Sequence, residues 1–342
     1  MMFPHCDVHD LDGLLWTHVA LLSFCAILIV ASLNSQLKDA APYGRHAEPE
    51  KTKAWGFPIP QRVGHIISDA LPGILFLTMV YLLYAALLPP NGKFSEVRPI
   101  NLVLLAGWLL HYLYRGILHP LIMPYSSKTV AVGITVAGMF PNLLFSYLIA
   151  AQLACTVYPD DWAARPRFII GVILYAIGTA INRWADLKLR AGRLAMRKHA
   201  GQGKVAGCTG STAAATPSSA STARESLLDA DDGEGRVGES RSGSEVVRNT
   251  PTQGPRPRGD VRDQYFIPHG GLYELVSCPN YLGELIEWAG YALAVWSWPA
   301  LAWMLFGLST FIPRSLTHQR WYREHFGNEY PAKRKALIPF IL

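Results

Sequence analysis

The sequence has little charge for its length. Of its 342 residues, 16% are Asp, Glu, Lys or Arg, whereas an average soluble domain carries roughly 25%. Half of the residues are hydrophobic, and the mean hydropathy is +0.17. Because a water-facing surface needs more charge than this, the composition excludes an ordinary soluble, secreted or fibrous protein and indicates a membrane protein.

Several motifs of soluble or metal-dependent proteins are also missing. The five cysteines are scattered and form no CxxC pair, so their spacing predicts neither a disulfide framework nor a zinc site. The pair Gly270-Gly271 does not form GxGxxG, and HExxH and GxSxG are absent. We therefore expect no Rossmann cofactor domain, no metal and no nucleic-acid partner.

Long apolar runs dominate what is present. With about 20 apolar residues needed per crossing, the sequence predicts an all-α polytopic bundle of seven transmembrane helices, at 14–33, 65–88, 100–119, 129–155, 167–185, 282–296 and 297–313. The last two form one continuous apolar stretch with Trp296, Trp298 and Pro299 at its middle. A proline and two interfacial aromatics there predict a hairpin of two helices.

Loop charges predict the orientation of this bundle. The loop at 34–63 carries five Lys or Arg residues and the tail after 313 carries six, and with seven spans they lie on the same side. The opposite side has Lys93, Arg98, Arg165 and Arg167. The first sixteen residues contain no Lys or Arg, which argues against a cleaved signal peptide and for a retained first span. The positive-inside rule then predicts an external N-terminus and a cytosolic C-terminus.

One segment has a different composition from the membrane body. Gly, Ser, Thr and Pro occupy 28 of the 62 positions in 201–262, and no aromatic residue occurs between Trp184 and Tyr265. Such a composition buries too little apolar surface to offset its ordering entropy and predicts a disordered cytosolic insertion. It divides the chain into membrane helices at 1–200, the insertion at 201–262 and a C-terminal region at 263–342.

Polar residues at membrane depth mark a candidate site, because an ionisable group there needs a cavity or a partner. They occur in or directly beside four of the predicted spans: Asp69, His111, Tyr112, Tyr114, Arg115, Asn182, Asp186, Asn280, Glu284 and Glu287. Asn280, Glu284 and Glu287 fall on one helix face. A purely structural role stays open for His111 and Tyr114, and a membrane anchor for Arg190 and Arg193. These residues predict a polar cavity open to the cytosol, in an enzyme or in a transporter.

The C-terminal third resembles the steroid 5-alpha-reductase family. The resemblance runs from Tyr265 through IPHGGLYELVSCPNYLGELIEWAGYALAVWSWPALAW to YPAKRKALIPFIL at the end. PYGRHAE at 42–48, HYLYR at 111–115 and INRWADLKLR at 181–190 also resemble family segments. The similarity covers most of the chain apart from the insertion and the N-terminal residues.

This resemblance implies a seven-helix reductase of the endoplasmic reticulum membrane. Such an enzyme uses NADPH to reduce the 4,5 double bond of a 3-oxo-Δ4-steroid to the 5-alpha product, while an acid and a tyrosine bind the 3-oxo group. Reduction of an enoyl-CoA or a polyprenol by the same superfamily is an alternative. A non-enzymatic sterol carrier is an alternative from another class, since a bundle cavity also suits a passenger.

The resemblance also assigns roles to individual residues. It implies Tyr112 and Asp69 as catalytic residues and Tyr43, Tyr281 and Trp288 as substrate-lining residues. It implies contacts to the cofactor from Asn182, Asp186, Arg193, Tyr265, Asn280, Glu284, Arg314, His318, Tyr322 and Arg334. There are two departures: the family's catalytic Glu stands two residues before a proline, where this chain has Ala70, and Phe266 stands where family members carry Arg.

Overall fold

A computed structural model of the chain describes residues 12–38, 46, 49–87, 99–209 and 265–342. Within these residues, five helical segments are long and apolar enough to cross a membrane: Leu15–Lys38, Gln61–Leu87, Pro99–Ile122, Val132–Cys155 and Pro166–Lys198. Each coincides with one of the first five predicted spans. The prediction of a mostly helical chain with several helices able to span a membrane is therefore confirmed, and the count of seven crossings stays a prediction.

The described residues form mainly α-helices, together with two π-helical segments and one short pair of strands. The α-helices are α1 (Asp12–Lys38), α2 (Pro49–Lys53), α3 (Gln61–His65), α4 (Leu77–Leu87), α5 (Pro99–Tyr112), α6 (His119–Ile122), α7 (Val132–Cys155), α8 (Pro166–Thr209), α9 (Pro279–Val295) and α10 (Trp298–Phe326). Two π-helices, Ile66–Phe76 and Leu113–Leu118, lie within the second and third spanning segments. Strands β1 (Pro58–Pro60) and β2 (Thr129–Ala131) form a short antiparallel pair that the sequence did not predict.

The predicted hairpin near the C-terminus is confirmed. Helix α9 ends at Val295, and Trp296 adopts a left-handed conformation with φ of 55°. The hydroxyl of Ser297 accepts a hydrogen bond from the amide of Ala300 and caps α10, with Pro299 in its first turn. Because proline is favoured in the first turn of a helix, this local sequence ends one helix and starts the next.

Helices α8 and α9 pack at very short range, which aligns their polar faces. Gly171 and Gly178 of α8 face Gly290 and Gly283 of α9, and a Cβ atom at any of these four positions would collide with backbone atoms of the opposite helix. Seven-residue spacing keeps these glycines on one face of each helix. The same faces continue into the polar residues of the candidate site.

The core is rich in aromatic side chains. The fully buried ring of Trp108 on α5 lies 5.2 Å from the ring of Trp288 and 5.6 Å from that of Trp303, measured between centroids. Tyr291 completes the cluster at 5.8 Å from Trp108. Tilted aromatic pairs at these distances are favourable beyond the area that they bury.

Two predictions about the chain's organisation need qualification. Helix α8 extends to Thr209, so the first nine residues of the predicted insertion 201–262 are helical rather than irregular. The helical pattern of α8 continues past its apolar part without a proline or a capping signal, which explains the missed boundary. The remainder of the insertion lies outside the described residues. Cys155 is disulfide-bonded, although the scattered cysteines predict no disulfide framework. Cys25 and Cys278 are both buried and form no disulfide.

Candidate active site

Two cavities lie side by side within the helices. The first, here the polar cavity, has a volume of about 200 Å³ and is lined by arginine, histidine, aspartate and tyrosine side chains. The second, here the apolar cavity, has a volume of about 370 Å³ and is lined by aromatic and aliphatic side chains. Gln36, Asp69, Arg115 and Arg314 line both cavities. The two cavities therefore share one wall of polar side chains.

Tyr112 lies at the edge of the apolar cavity and is linked to Asp69 through a third residue. Its hydroxyl donates a hydrogen bond to Asn142 Oδ1 at 2.7 Å. Asn142 Nδ2 lies 3.3 Å from Asp69 Oδ1, which also accepts from the Ser68 hydroxyl at 2.9 Å. The two predicted catalytic residues are thus brought together, with an amide between them.

The π-helix at Ile66–Phe76 determines which residue of this segment faces the site. A π-helical segment corresponds to an extra residue inserted into an α-helix. Here Asp69 lines both cavities, whereas Ala70 is buried against Gly116, where a Cβ atom on the glycine would contact the Ala70 backbone. Asp69 thus faces the cavities, whereas Ala70, which stands two residues before Pro72, does not.

Tyr112 is held by its ring as well as by its hydroxyl. Gly73 lies against the ring so closely that a Cβ atom there would overlap it. On another side the ring stacks on Trp108 at 5.2 Å between centroids. With an exposure of 2%, the side chain has little freedom to move. Its phenol is therefore fixed at the edge of the apolar cavity.

The two acids of α9, Glu284 and Glu287, lie close to basic side chains from other helices. His111 Nδ1 lies 2.9 Å from Glu287 Oε1, and Arg183 Nη2 lies 3.9 Å from the same oxygen. Glu284, which lines the apolar cavity, lies 3.8 Å from His111 Nε2. The expectation that His111 and Glu287 need partners at membrane depth is confirmed. Partnering lowers the cost of burying these groups.

The floor of the polar cavity joins α8 to α9. Asn280 Nδ2 donates to Asp186 Oδ1 at 3.4 Å, and Asn182 Nδ2 donates to the Asn280 carbonyl at 2.9 Å. Asp186 Oδ2 is buried and has no hydrogen-bond partner among the described residues, although His119 Nε2 lies 3.6 Å away. An acceptor left open beside a cavity suits a ligand that brings hydroxyl or amide donors.

The opposite side of the polar cavity carries hydrogen-bonded basic and aromatic groups. Arg314 Nε donates to Gln36 Oε1 at 2.8 Å, which joins α10 to α1. His318 lies between His46 and Tyr281, at 3.1 Å and 3.3 Å. Burial raises the pKa of Tyr125, in the loop before β2, to about 12, so its phenol is neutral at physiological pH. Together with Arg115 and Arg193, these groups suit an anionic ligand with several hydrogen-bonding groups.

The predicted site residues divide into three sets. Asp186, Arg193, Tyr265, Asn280, Tyr281, Arg314 and His318 line the polar cavity. Tyr112, Glu284 and Trp288 line the apolar cavity, and Asp69 and Arg314 line both. Tyr281, expected beside the substrate, is thus on the polar side, and Glu284, expected beside the cofactor, is on the apolar side. Tyr43 lies outside the described residues.

The remaining predicted residues lie behind the cavities. Asn182 is buried beneath Asn280, whose carbonyl it binds. Tyr322 stacks on Tyr330 at 5.3 Å between centroids. Arg334 is 1% exposed, donates to the Pro268 carbonyl at 3.1 Å and lies 3.6 Å from a carboxylate oxygen of Glu274. Their predicted contacts to a cofactor stay predictions.

Two residues of the site, Asn142 and Gln36, were missed at the sequence level, and a third was given no role. Asn142 follows Pro141 in the apolar α7, and its amide at membrane depth is a signal that could have indicated it. Gln36 stands near the end of the first span and looks like an interfacial residue. Arg115 was noted within HYLYR but was given no role, although it lines both cavities.

The fold and the site define a class of protein: a helical membrane protein with a polar and an apolar cavity meeting at buried polar side chains. The family model of 3-oxo-5-alpha-steroid 4-dehydrogenase matches residues 249–342. The rat protein 3-oxo-5-alpha-steroid 4-dehydrogenase 1 is 30% identical over 343 aligned residues, covering 100% of both chains.

Plant and human relatives are similar over nearly the same length. Steroid 5-alpha-reductase DET2 of Arabidopsis thaliana is 28% identical, over 88% of this chain and 87% of its own. Human 3-oxo-5-alpha-steroid 4-dehydrogenase 1 is 29% identical, over 93% and 92%. The chain belongs to the steroid 5-alpha-reductase family, whose members are oxidoreductases acting on the CH–CH bond of steroids. The resemblance inferred from the sequence is thereby confirmed.

Proposed function

We propose that the protein is an NADPH-dependent steroid 5-alpha-reductase, which reduces the 4,5 double bond of 3-oxo-Δ4-steroids. The observation that carries the proposal is the shared wall between the two cavities. A polar compartment with three arginines meets an apolar compartment at a wall that includes Asp69, and Tyr112 lies on the apolar side. Such an arrangement suits a polyanionic cofactor on one side and a rigid apolar substrate on the other.

The residues of the polar cavity fit the cofactor. Arg115, Arg193 and Arg314 supply donors for phosphate oxygens. The open acceptor on Asp186 suits a ribose hydroxyl or the nicotinamide amide. When bound, NADPH supplies the hydride.

The residues of the apolar cavity fit the substrate. Trp288 and Trp303 provide flat apolar walls for a steroid ring system and exclude water. Tyr112 donates a hydrogen bond to the 3-oxo group, and Asp69 acts with it as the acid. A donor at this oxygen stabilises the negative charge that develops there when the double bond accepts a hydride, and this stabilisation is stronger in a dry site.

The test is turnover by purified protein in nanodiscs. We expect NADPH consumption with a 3-oxo-Δ4-steroid and a 5-alpha-reduced ketone identified by mass spectrometry. Oxidation of NADPH only with an enoyl-CoA or a polyprenol would refute the steroid assignment while leaving a reductase. Absence of saturable NADPH binding would favour the sterol carrier instead.

The proposal includes a seven-span topology in the endoplasmic reticulum membrane with a cytosolic C-terminus. Helices α9 and α10 would form the last two crossings, and the basic residues at 34–63 and after 313 would face the cytosol. Because NADPH is a cytosolic cofactor, the polar cavity would open to that side. Protease protection of a C-terminal epitope tag in intact microsomes would contradict this orientation.

A further inference from the structure

Asn142 belongs to neither the segment of Asp69 nor that of Tyr112, yet it contacts both. It lies in α7, while Asp69 lies in the first π-helix and Tyr112 ends α5. All three side chains line the apolar cavity. The hydrogen bonds of the Asn142 amide therefore tie three separate elements together at the point where the two cavities meet.

The orientation of the Asn142 amide is fixed by its other partners. Its Nδ2 donates to the Ser68 carbonyl at 2.9 Å and lies 3.2 Å from the Gly138 carbonyl. Both are acceptors only, so the NH₂ group must face them, and Oδ1 must face Tyr112. The amide therefore offers an acceptor to the Tyr112 hydroxyl and a donor to the Asp69 carboxyl.

Asn142 provides the hydrogen-bonded link between Asp69 and Tyr112. The hydroxyl of Tyr112 donates to Asn142 rather than to Asp69. Asp69 in turn receives hydrogen bonds from Ser68 and Asn142. A carboxyl on the short aspartate side chain thus reaches the phenol through an intervening amide.

We propose that Asn142 is a positioning residue that couples Asp69 to Tyr112 and holds the phenol oxygen beside the apolar cavity before substrate binds. When the substrate binds, the single hydroxyl proton of Tyr112 turns from Asn142 Oδ1 to the substrate carbonyl. This inference rests on the proposed reductase function. Loss of the amide would leave the Tyr112 hydroxyl free to rotate and would take a donor from Asp69. Small misplacements of a catalytic group reduce turnover by up to about 10²-fold.

The main experiment compares four variants in a steroid-reduction assay with purified protein. Asn142→Leu is expected to lower kcat by about 10-fold to 10²-fold, with the Kd for NADPH unchanged because the polar cavity is intact. Asn101→Leu is the control, since Asn101 is a buried amide outside both cavities that donates to the carbonyls of Leu153 and Thr156. It is expected to lower thermal stability but to leave kcat per folded enzyme within about twofold.

The double variant separates positioning from general damage. Because the effect of Asn142 passes largely through the Tyr112 hydroxyl, adding Asn142→Leu to Tyr112→Phe should lower kcat by clearly less than Asn142→Leu lowers it in the wild type. The proposal would be overturned if the kcat loss of the double variant equalled the product of the two single losses. A kcat of Asn142→Leu within twofold of wild type would also overturn it. If Asn142→Leu does not fold, Asn142→Asp takes its place in the same comparison.

A second measurement does not depend on turnover. The Tm values of wild type, Tyr112→Phe, Asn142→Leu and their double variant form a thermal cycle. A bond between the two side chains predicts that the double variant loses clearly less than the sum of the single losses. Additive losses of Tm would overturn the proposed coupling between Asn142 and Tyr112, whatever the activity of the wild type. Failure of the wild type to reduce any steroid would refute the proposed function and would leave the test of the coupling intact.

Discussion

The polar and apolar cavities differ in chemistry although they share a wall. Asp186, Arg193 and His318 line only the polar cavity. Trp288, Trp303 and Phe306 line only the apolar cavity. The first is built from the ends of helices and their connecting loops, whereas the second lies among the middle parts of the helices. Two different ligands are therefore expected to meet at the shared residues.

The comparison predicts that substitutions separate into two phenotypes. Changes on the apolar side should reduce turnover and leave cofactor affinity intact. Changes on the polar side should weaken cofactor binding and leave turnover at saturation nearly intact. A substitution on the apolar side that weakens NADPH binding, or one on the polar side that lowers turnover at saturation, would contradict this division. Such a result would show that the two cavities bind one continuous ligand.

The largest effect is expected from Tyr112→Phe. Removing the phenol hydroxyl deletes a donor to the developing oxyanion and should lower kcat by about 10²–10³-fold, the scale found for oxyanion donors. The Kd for NADPH, measured by fluorescence titration, should stay within about twofold of wild type. A tenfold rise in that Kd would place the phenol in the cofactor site and contradict the assignment of the two cavities to different ligands.

A smaller effect of the opposite kind is expected from Asn280→Ala. Its amide lines the polar cavity and donates to Asp186 at 3.4 Å. We expect the Kd for NADPH to rise about tenfold, equivalent to about 1.4 kcal/mol, with kcat at saturating NADPH little changed. Titration of the Asn101→Ala variant provides the control for a buried amide outside the site. An unchanged Kd in Asn280→Ala would contradict the assignment of the polar cavity.

The pH dependence of stability tests the role of Glu274, which lies beside the buried Arg334. A hydrogen bond from the Gly270 amide at 2.5 Å, with smaller contributions from His269 and Arg334, lowers the pKa of Glu274 below its ordinary value. The stability that the ionised form contributes is present above about pH 4.3, the ordinary value, and is lost as pH falls through the lowered pKa. The Tm difference between wild type and Glu274→Gln should therefore be present at pH 7 and shrink on acidification. A difference that is independent of pH would contradict the ionic role.

The smallest effect is expected from removing much of the insertion. Deletion of residues 212–258 should change kcat by no more than a few-fold, because a segment rich in Gly, Ser and Thr contributes little buried apolar surface and loop length costs little free energy. Activity of the deletion variant in microsomes, normalised to folded protein, is the measurement. Complete loss of turnover would show that this segment contributes to one of the cavities.

Much of the fold follows from local patterns. The five spanning helices are indicated by apolar length alone, and the break at Trp296 follows from Pro299 and the flanking tryptophans. The pairing of the buried Glu287 with His111 could be anticipated only as a need for some partner, because spacing does not identify residues 176 positions apart.

The local geometry of the site could not be predicted. A π-helix leaves no clear mark in hydropathy, so the sequence alone could not decide between Asp69 and the position of Ala70. The bridging role of Asn142 depends on how α7 packs against two other segments. Such a contact between distant segments is a property of tertiary structure and not of any sequence window.

Isotope transfer tests the central claim most directly. Purified protein would be given a 3-oxo-Δ4-steroid and NADPH carrying deuterium at the transferable position, and the product would be analysed by mass spectrometry and NMR. The proposed function predicts one deuterium in the steroid, at the carbon beta to the ketone. Recovery of unlabelled or unreduced steroid, from protein shown to bind both ligands, would contradict it.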